Sequence, residues 1–500
     1  VTAALPLVVG GPLLAAVLAV LVPRPVVRRV LALAVPTAVG AGGVALVVAT
    51  RDGDVVATQV AGWLPGVAIA FAADTLSALM LVVSALLVLA ATVFALAAGE
   101  DDDPWFVPLV LMLSAGVYGA YLTADLFNLF VMVEIALLPS YVLLSRTGTP
   151  QAIRAGRLYL VVNLTASTIL LAGVGLVYAT AGTVNLGELA GAATAATPVA
   201  VATGVVVVAL AVKAALVPVH GWLPATYPAT SPAVTALFSG LLTKIGVYGL
   251  IRVLTVMVEP TAGLRLAFVA VMLATMTIGV LGALGEPSMR GVLAFHMVSQ
   301  VGYILVGLVL AGAVGLSAVV FYLVHHTVVK TSLFLSVGAV EVRRRTGRIA
   351  DLGGVAAQHR WVALAFLLAA MSLVGLPPLS GFWAKLGVLQ AGLLDGQVAV
   401  VVVALVVSVG TLMSMLKLGV GVFWGNPPPS PQATTDADDA PRPDGPRAAP
   451  WSAALVLPGG VLALASLAVG LAPDWLLALS DVAGAALADP GAYSEAVLRP

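Results

Sequence analysis

The stretch VVVVALAVKAALVPVHGWLP, residues 205–224, decides how this chain must be read. An apolar run leads into Lys213, and Pro218 follows within a turn and a half. A lysine placed in hydrocarbon costs roughly 2.5–3.5 kcal/mol on insertion scales. Proline removes a backbone donor and breaks a helix. Such a break frees carbonyls and admits water, the setting in which transporters hold ions. A second stretch, SLVGLPPLSGFWAKLGVLQ (372–390), repeats the pattern, with Pro377, Pro378, Ser380 and Gly381 at the break and Lys385 beyond it. Paired breaks in corresponding positions of two halves point to an inverted-repeat transporter site. The match is imperfect, because Lys213 precedes its break and Lys385 follows.

The remaining lysines sharpen this reading. Lys213, Lys244, Lys330, Lys385 and Lys417 are the only five in the chain, and all lie inside apolar segments. The residues are 61% hydrophobic and 9% charged, whereas soluble domains carry about 25% charge. Apolar runs long enough to cross about 30 Å of hydrocarbon recur along nearly the whole sequence. A formal net charge of zero argues against nucleic acid as a partner. The lack of cysteine removes disulfides, thiol catalysis and thiolate-held iron–sulfur clusters. The first apolar segment, Leu5 to Val22, has no basic residue before it and no small-residue cleavage site, so it reads as a span rather than a signal peptide.

The expected fold is all-α and polytopic, with about 14 transmembrane spans at 4–22, 28–50, 74–99, 105–123, 125–145, 155–180, 199–225, 231–257, 263–284, 290–311, 314–340, 358–391, 397–424 and 452–472. Spans 7 and 12 are over-long and broken by proline. With the N-terminus outside, fourteen of the eighteen arginines fall in cytoplasmic loops, among them Arg24, Arg146, Arg290, Arg343 and Arg360. Arg51, Arg252, Arg265 and Arg499 fall on or near the other side. The positive-inside rule therefore places both termini outside. The predicted organisation is N-terminal spans over 1–104, two inverted five-span repeats over 105–257 and 258–424 (spans 4–8 and 9–13), a disordered cytoplasmic linker over 425–450, and the last span with a tail over 451–500. The linker assignment rests on a Pro-, Ala- and Asp-rich composition.

Several side chains within the spans suit proton chemistry. Glu134 lies nine residues beyond Asp125, so at about 1.5 Å per residue it is some 14 Å deep. Alone its ionised form is costly; it holds a proton or pairs with a cation, for which Lys213 is the natural candidate. Lys244 lies mid-span, where burial draws a lysine toward exchanging its proton near neutrality. In FYLVHHTVVKTSLF, His325 and His326 point about 100° apart, and Lys330 shares a face with His326. Histidine suits a relay, and no carboxylate or thiolate cluster accompanies the pair to hold a metal. His296 and Gln300 read equally as relay members or as interhelical hydrogen bonds. Lys417, nearer a span end, reads as a relay member or a snorkelling lysine. Asp74 and Asp125 read as helix N-caps. No P-loop, dinucleotide-binding glycine pattern or nucleophile–base set is present. Neither a cofactor nor enzyme activity is expected.

Four stretches carry a family resemblance: GVYGAYLTADLFNLFVMVEIALLPSYVLLS (116–145), LVPVHGWLPATYPATSPAVTALFSGLLTKIGVYGLIR (216–252), LAFHMVSQVGYILVG (293–307) and GLPPLSGFWAKLGVLQAG (375–392). Each resembles its own region of the D-type subunit of Mrp-type multisubunit cation/proton antiporters. The wider family includes the antiporter-like subunits of respiratory complex I and of membrane-bound hydrogenases. The LTADLFNLFVMVE run and the short segment after the last span favour the D-type subunit over the larger ones. The resemblance implies a Glu134–Lys213 pair in one half, Lys244 as central switch, His325 and its neighbours as connection, and Lys385 as terminal site. His326, Lys330, His296 and Lys417 are further candidates for the relay. The resemblance also implies a cell-membrane complex with A, B, C, E, F and G type subunits, exchanging H+ against Na+, with a redox-complex proton pump as the alternative. The His325–His326 doublet departs from the family pattern and leaves open which ring faces the axis.

Overall fold

Hydrocarbon offers no partner to a backbone amide, so a chain this apolar satisfies its backbone within helices. The computed structural model describes residues 4–63, 68–426 and 451–499, and helices dominate it. They are α1 (Leu5–Leu21), α2 (Pro25–Thr50), α3 (Thr75–Ala97), α4 (Phe106–Leu122), α5 (Leu126–Ser145), α6 (Pro150–Ala181), α7 (Ala192–Ala195), α8 (Thr197–Lys213), α9 (Trp222–Thr226) and α10 (Pro232–Met257). There follow α11 (Ala262–Gly285), α12 (Met289–Val306), α13 (Ala313–Arg344), α14 (Val355–Gln358), α15 (Arg360–Val374), α16 (Ser380–Leu394), α17 (Val398–Leu418), α18 (Ala453–Leu471), α19 (Asp474–Ala488) and α20 (Gly491–Leu498).

Local chemistry sets many of these ends. Asp74, Asp125, Thr149, Ser231 and Ser288 each cap the helix that follows by accepting a backbone N–H. Pro150 and Pro232 stand at first helical positions, where the missing N–H costs nothing. α6 stops at Gly182, whose φ of 77° closes the last turn.

Ten helices among the described residues are long and apolar enough to cross a membrane, and four shorter apolar helices accompany them. Each of the fourteen expected segments carries a helix. The chain is a multi-pass membrane protein. The two expected breaks are real: α8 stops at Lys213 and helix resumes at Trp222, and α15 stops at Val374 and resumes at Ser380. α10 and α13 form the centre, their most apolar windows being 100% and 94% buried. Around them α4 packs along α5 much as α11 packs along α12. α6 and α13 are each 32 residues long.

The loops sort onto two faces. On one, Arg146 pairs with Glu100, whose carboxylate also accepts from Ser231 Oγ at 2.8 Å. Burial pushes the Glu100 carboxyl up from the ordinary glutamate range, against the opposing pull of Arg146. On the same face Arg290 grips Glu341 through two bonds of 2.7 and 2.5 Å. On the other face Arg265 pairs with Asp395 at 2.7 Å and donates to the Val309 carbonyl at 2.8 Å.

Two features differ from expectation. A two-stranded antiparallel hairpin, β1 (Val56–Gln59) with β2 (Ala70–Ala73), interrupts the all-α pattern on the second face. The segment read as a tail forms α19 and α20. α19 buries Leu476, Ser480, Ala483, Gly484 and Leu487 against α13. The contact is close because Gly484 has no Cβ: one added there would come 2.6 Å from Ser317 N. The predicted linker lies outside the described residues from position 427 onward.

Candidate functional site

The breaks place the end lysines. Lys213 is the last residue of α8, 5% exposed, and its Nζ donates to Ser167 Oγ of α6 at 2.9 Å. The end of α8 presses on α10 at Gly246, where an added Cβ would fall 2.7 Å from Ala214 N. Beside Lys213 lies a cavity of about 10 Å³, lined also by Tyr159, Asn163 and Trp222, about the room one water needs. The expected Glu134–Lys213 ion pair is not made. Glu134 lies within Coulombic reach of Lys213, but its buried Oε1 has no protein partner, and Lys213 is satisfied by the hydroxyl instead. Desolvating two charges is repaid only by excellent geometry, whereas a hydroxyl serves as acceptor or donor.

Lys385 occupies the equivalent environment at the second break. Its Nζ donates to the Val374 carbonyl, the last of α15, at 2.8 Å and to Ser408 Oγ at 2.9 Å. It stands 5.0 Å from the centroid of the Tyr303 ring. Gly375, at φ 95°, makes room for this side chain, since a Cβ there would lie 2.8 Å from Lys385 Cδ.

Between the breaks runs a line of buried groups on α10, α12 and α13. Lys244 is fully buried and donates to the Ser239 carbonyl at 2.6 Å. Lys330, also fully buried, donates to the Leu293 carbonyl at 3.0 Å. His326 lies within Coulombic reach of Lys244, Lys330, His325 and His296, and neither of its ring nitrogens has a protein partner. His296 Nε2 is hydrogen-bonded to Ser414 Oγ at 2.5 Å, and its ring reaches the fields of Lys330 and Lys385. Gln300 accepts from Tyr322 Oη at 2.6 Å, a helix–helix hydrogen bond. The histidine doublet thus divides: His326 faces the lysines of α10 and α13, whereas His325 Nδ1 is bound to Ser380 Oγ at 2.8 Å, at the second break. Ser380, Ser372 and Ser466 are mutually hydrogen-bonded at 2.8 to 3.2 Å.

Lys417 is set apart from this line. Its Nζ donates to the carbonyls of Leu284 and Glu286, at 2.9 and 2.6 Å, capping the end of α11. These hydrogen bonds are those of a helix cap. Ser167, Ser408, Ser372 and Ser466 escaped sequence reasoning because isolated serines in apolar helices are ordinary, and Ser380 was read only as part of the break. The lysines they serve were the available signal.

The profile of the NADH:quinone oxidoreductase/Mrp antiporter transmembrane family matches residues 123–414, a range that holds both breaks and the whole line of buried lysines and histidines between them. The chain belongs to that family. It is 34% identical over 377 residues to the D subunit of the Na(+)/H(+) antiporter of Alkalihalophilus pseudofirmus, covering 74% of this chain and 76% of the relative. A chain of the Mrp complex from Dietzia sp. DQ12-45-1b superposes with a TM-score of 0.93 at 48% identity, over 99% of both chains. A chain of the archaeal membrane-bound sulfane sulfur reductase, a respiratory membrane complex, superposes at 0.86 and 25% identity, again over 99% of both. The family's description names both a redox complex and an antiporter, and of these two structures the Mrp complex is nearer in both sequence and shape.

Proposed function

We propose that this chain is the D-type, proton-translocating subunit of a multisubunit Na+(cation)/H+ antiporter of the cell membrane, a secondary transporter rather than an enzyme. One observation carries the reading: four buried lysines, Lys213, Lys244, Lys330 and Lys385, whose hydrogen-bond partners are all neutral oxygens. A buried lysine with a carboxylate beside it is held charged, whereas one among carbonyls and hydroxyls is free to change its protonation state. Protons enter at Glu134 and Lys213, pass Lys244, and cross through His326, Lys330, His296 and His325 to Lys385. Residues 105–257 and 258–424 form the two inverted repeats. The arginine-rich face lies in the cytoplasm and both termini lie outside. Each protonation weakens the next lysine's hold on its proton, and a proton crossing the membrane potential exchanges about 2.3 kcal/mol per 100 mV, enough to drive cation extrusion. The other subunits of the complex supply the remaining faces.

The test is Na+-dependent proton flux in inverted vesicles carrying the full complex, comparing wild type with Lys244→Met and Glu134→Ala at equal assembly. Loss of exchange places the proton path in this subunit. Retained exchange leaves the buried charges structural and refutes the proposal.

A further inference from the structure

Arg252 lies eight residues beyond Lys244 on α10, about 12 Å toward the hairpin face. It is 3% exposed and belongs to no loop. Its Nε donates to Tyr248 Oη at 2.9 Å, and one Nη donates to Ser77 Oγ at 3.0 Å and to the Asp74 carboxylate. The rings of Tyr493 and Tyr248 flank the guanidinium, their centroids 4.7 and 5.2 Å away. Tyr248 Oη also lies 2.8 Å from Ser77 Oγ and donates to the Tyr121 carbonyl at 2.7 Å. Tyr493 comes from α20, which is held to the hairpin where Gln59 Nε2 donates to the Val497 carbonyl at 2.8 Å. Asp74 is therefore more than the N-cap of α3.

Deeper along the same seam the packing is less complete. α3 and α10 run antiparallel, with Tyr248 opposite Ser77 and Gly240 opposite Leu87, whose Cδ1 occupies the space of a Gly240 Cβ. Ser84 of α3 is thus at about the depth of Lys244. The buried hydroxyls of Ser84 and Tyr121 face one another there and have no other protein partner. The seam is polar at the level of Lys244 and stopped by a fixed ion pair above it.

We propose that the Arg252–Asp74 pair, held by Ser77, Tyr248 and Tyr493, is a seal that keeps protons and cations from passing between Lys244 and the hairpin face. Arginine cannot relay a proton, because it does not deprotonate in proteins. Paired with Asp74 it carries little net field, so it closes the seam by filling it with groups that hold their hydrogen bonds and pass no proton on. The seal makes exchange obligatory, since a leak at this point would dissipate the gradient. It also assigns the C-terminal helix α20 a part in coupling. The inference rests on the proposed role of Lys244.

The experiment is proton leak without Na+ after an imposed pH step, in vesicles carrying the full complex at equal assembly. The double variant Asp74→Asn, Arg252→Gln leaves no lone buried charge. Loss of this paired plug is expected to raise the leak about tenfold, which corresponds to about 1.4 kcal/mol of barrier. Adding Lys244→Met to that variant returns the leak to the wild-type level. A leak within about twofold of wild type in the assembled double variant, well short of the roughly tenfold rise expected, overturns the seal. A leak that rises but ignores Lys244→Met overturns it too. Should the double variant not assemble, Tyr493→Ala carries the test: loss of one ring contact raises the leak about threefold, and no rise overturns the seal. Full exchange in Lys244→Met alone would instead refute the proposed function, a result distinguishable from failure of the seal.

Discussion

The mid-depth line and the loop-bearing faces hold their cations in opposite ways. Every ion pair among the described residues is made by an arginine, among them Arg146 with Glu100, Arg290 with Glu341 and Arg265 with Asp395 near the faces, and Arg252 with Asp74 inside the seam. The lysines take carbonyls and hydroxyls instead. Arginine is always charged and fits a carboxylate with a rigid fork, so such pairs fix structure. Lysine changes its charge readily when buried. Where charge must stay, the molecule supplies arginine and a counterion. Where, on the proposed function, charge must come and go, it supplies lysine and a neutral partner.

The comparison breaks if the two cations respond alike to removal. Lys244→Met should lower Na+-dependent exchange about hundredfold, the scale of a lost proton-transfer group. The assembled protein should be no less stable, because replacing a buried charge by an apolar side chain of similar volume is often neutral or better. Flux together with thermal stability of the purified complex would show this, and a large fall in stability would count against it. Arg290→Met should do the reverse. It leaves Glu341 without its partner and costs about 3 kcal/mol of stability, at the lower end for a partly exposed pair. Assembled protein should fall while exchange per assembled complex holds. Glu341→Gln added to Arg290→Met should recover much of the loss, measured as complex retained after detergent heating.

Sequence reading reached the helices and the breaks because both are written in strong, local terms. Hydrocarbon length and proline chemistry leave few alternatives at Pro218 or at Pro377–Pro378. It reached the lysines because charge in hydrocarbon is costly wherever it lies. It did not reach their partners. Ser167 meets Lys213 across 46 positions, and nothing near either residue records the other. The Glu134–Lys213 pair was a reasonable inference from depth, yet side-chain direction at the last turn of α8 decided for Ser167. Arg252 was counted as a residue near the outer face, because a sequence places an arginine along a span but does not show its partner in another helix. The hairpin was missed for a different reason: VATQ and AFAA are four-residue strands, too short to show a period of two. α19 reads as tail although its buried positions, Leu476, Ser480, Ala483, Gly484 and Leu487, recur at helical spacing, because small and polar residues occupy three of the five.

The neutral partners give a finer test. Ser167→Ala and Ser408→Ala each remove one hydroxyl from a buried lysine, a loss of about 1 kcal/mol. Each should slow exchange roughly fivefold by that measure. Ser167→Asp and Ser408→Asp should slow it further, since a carboxylate would fix the charge that the hydroxyl leaves free. Exchange rate against pH separates the two cases: the aspartate variants need a higher pH to release the proton, and the alanine variants do not. Equal profiles in both series would show that the hydroxyls merely pack.

The smallest effect concerns the lysine that departs from its class. Lys417 donates to two carbonyls at the end of α11, where a helix exposes unpaired acceptors and the negative end of its dipole. A cation there is held by geometry that is useful only while the charge remains. Lys417→Met should therefore leave exchange unchanged and cost about 0.5–1 kcal/mol of stability, the worth of a cation at a helix C-terminus. Lys417→Arg should restore the stability, because a fixed charge serves a cap as well as a titratable one does. The same arginine replacement at Lys244 should abolish exchange, because a relay needs the proton to leave. If Lys417→Arg also lost exchange at full assembly, the fifth lysine would belong to the line, and the division between fixed and mobile charge would have to be drawn elsewhere.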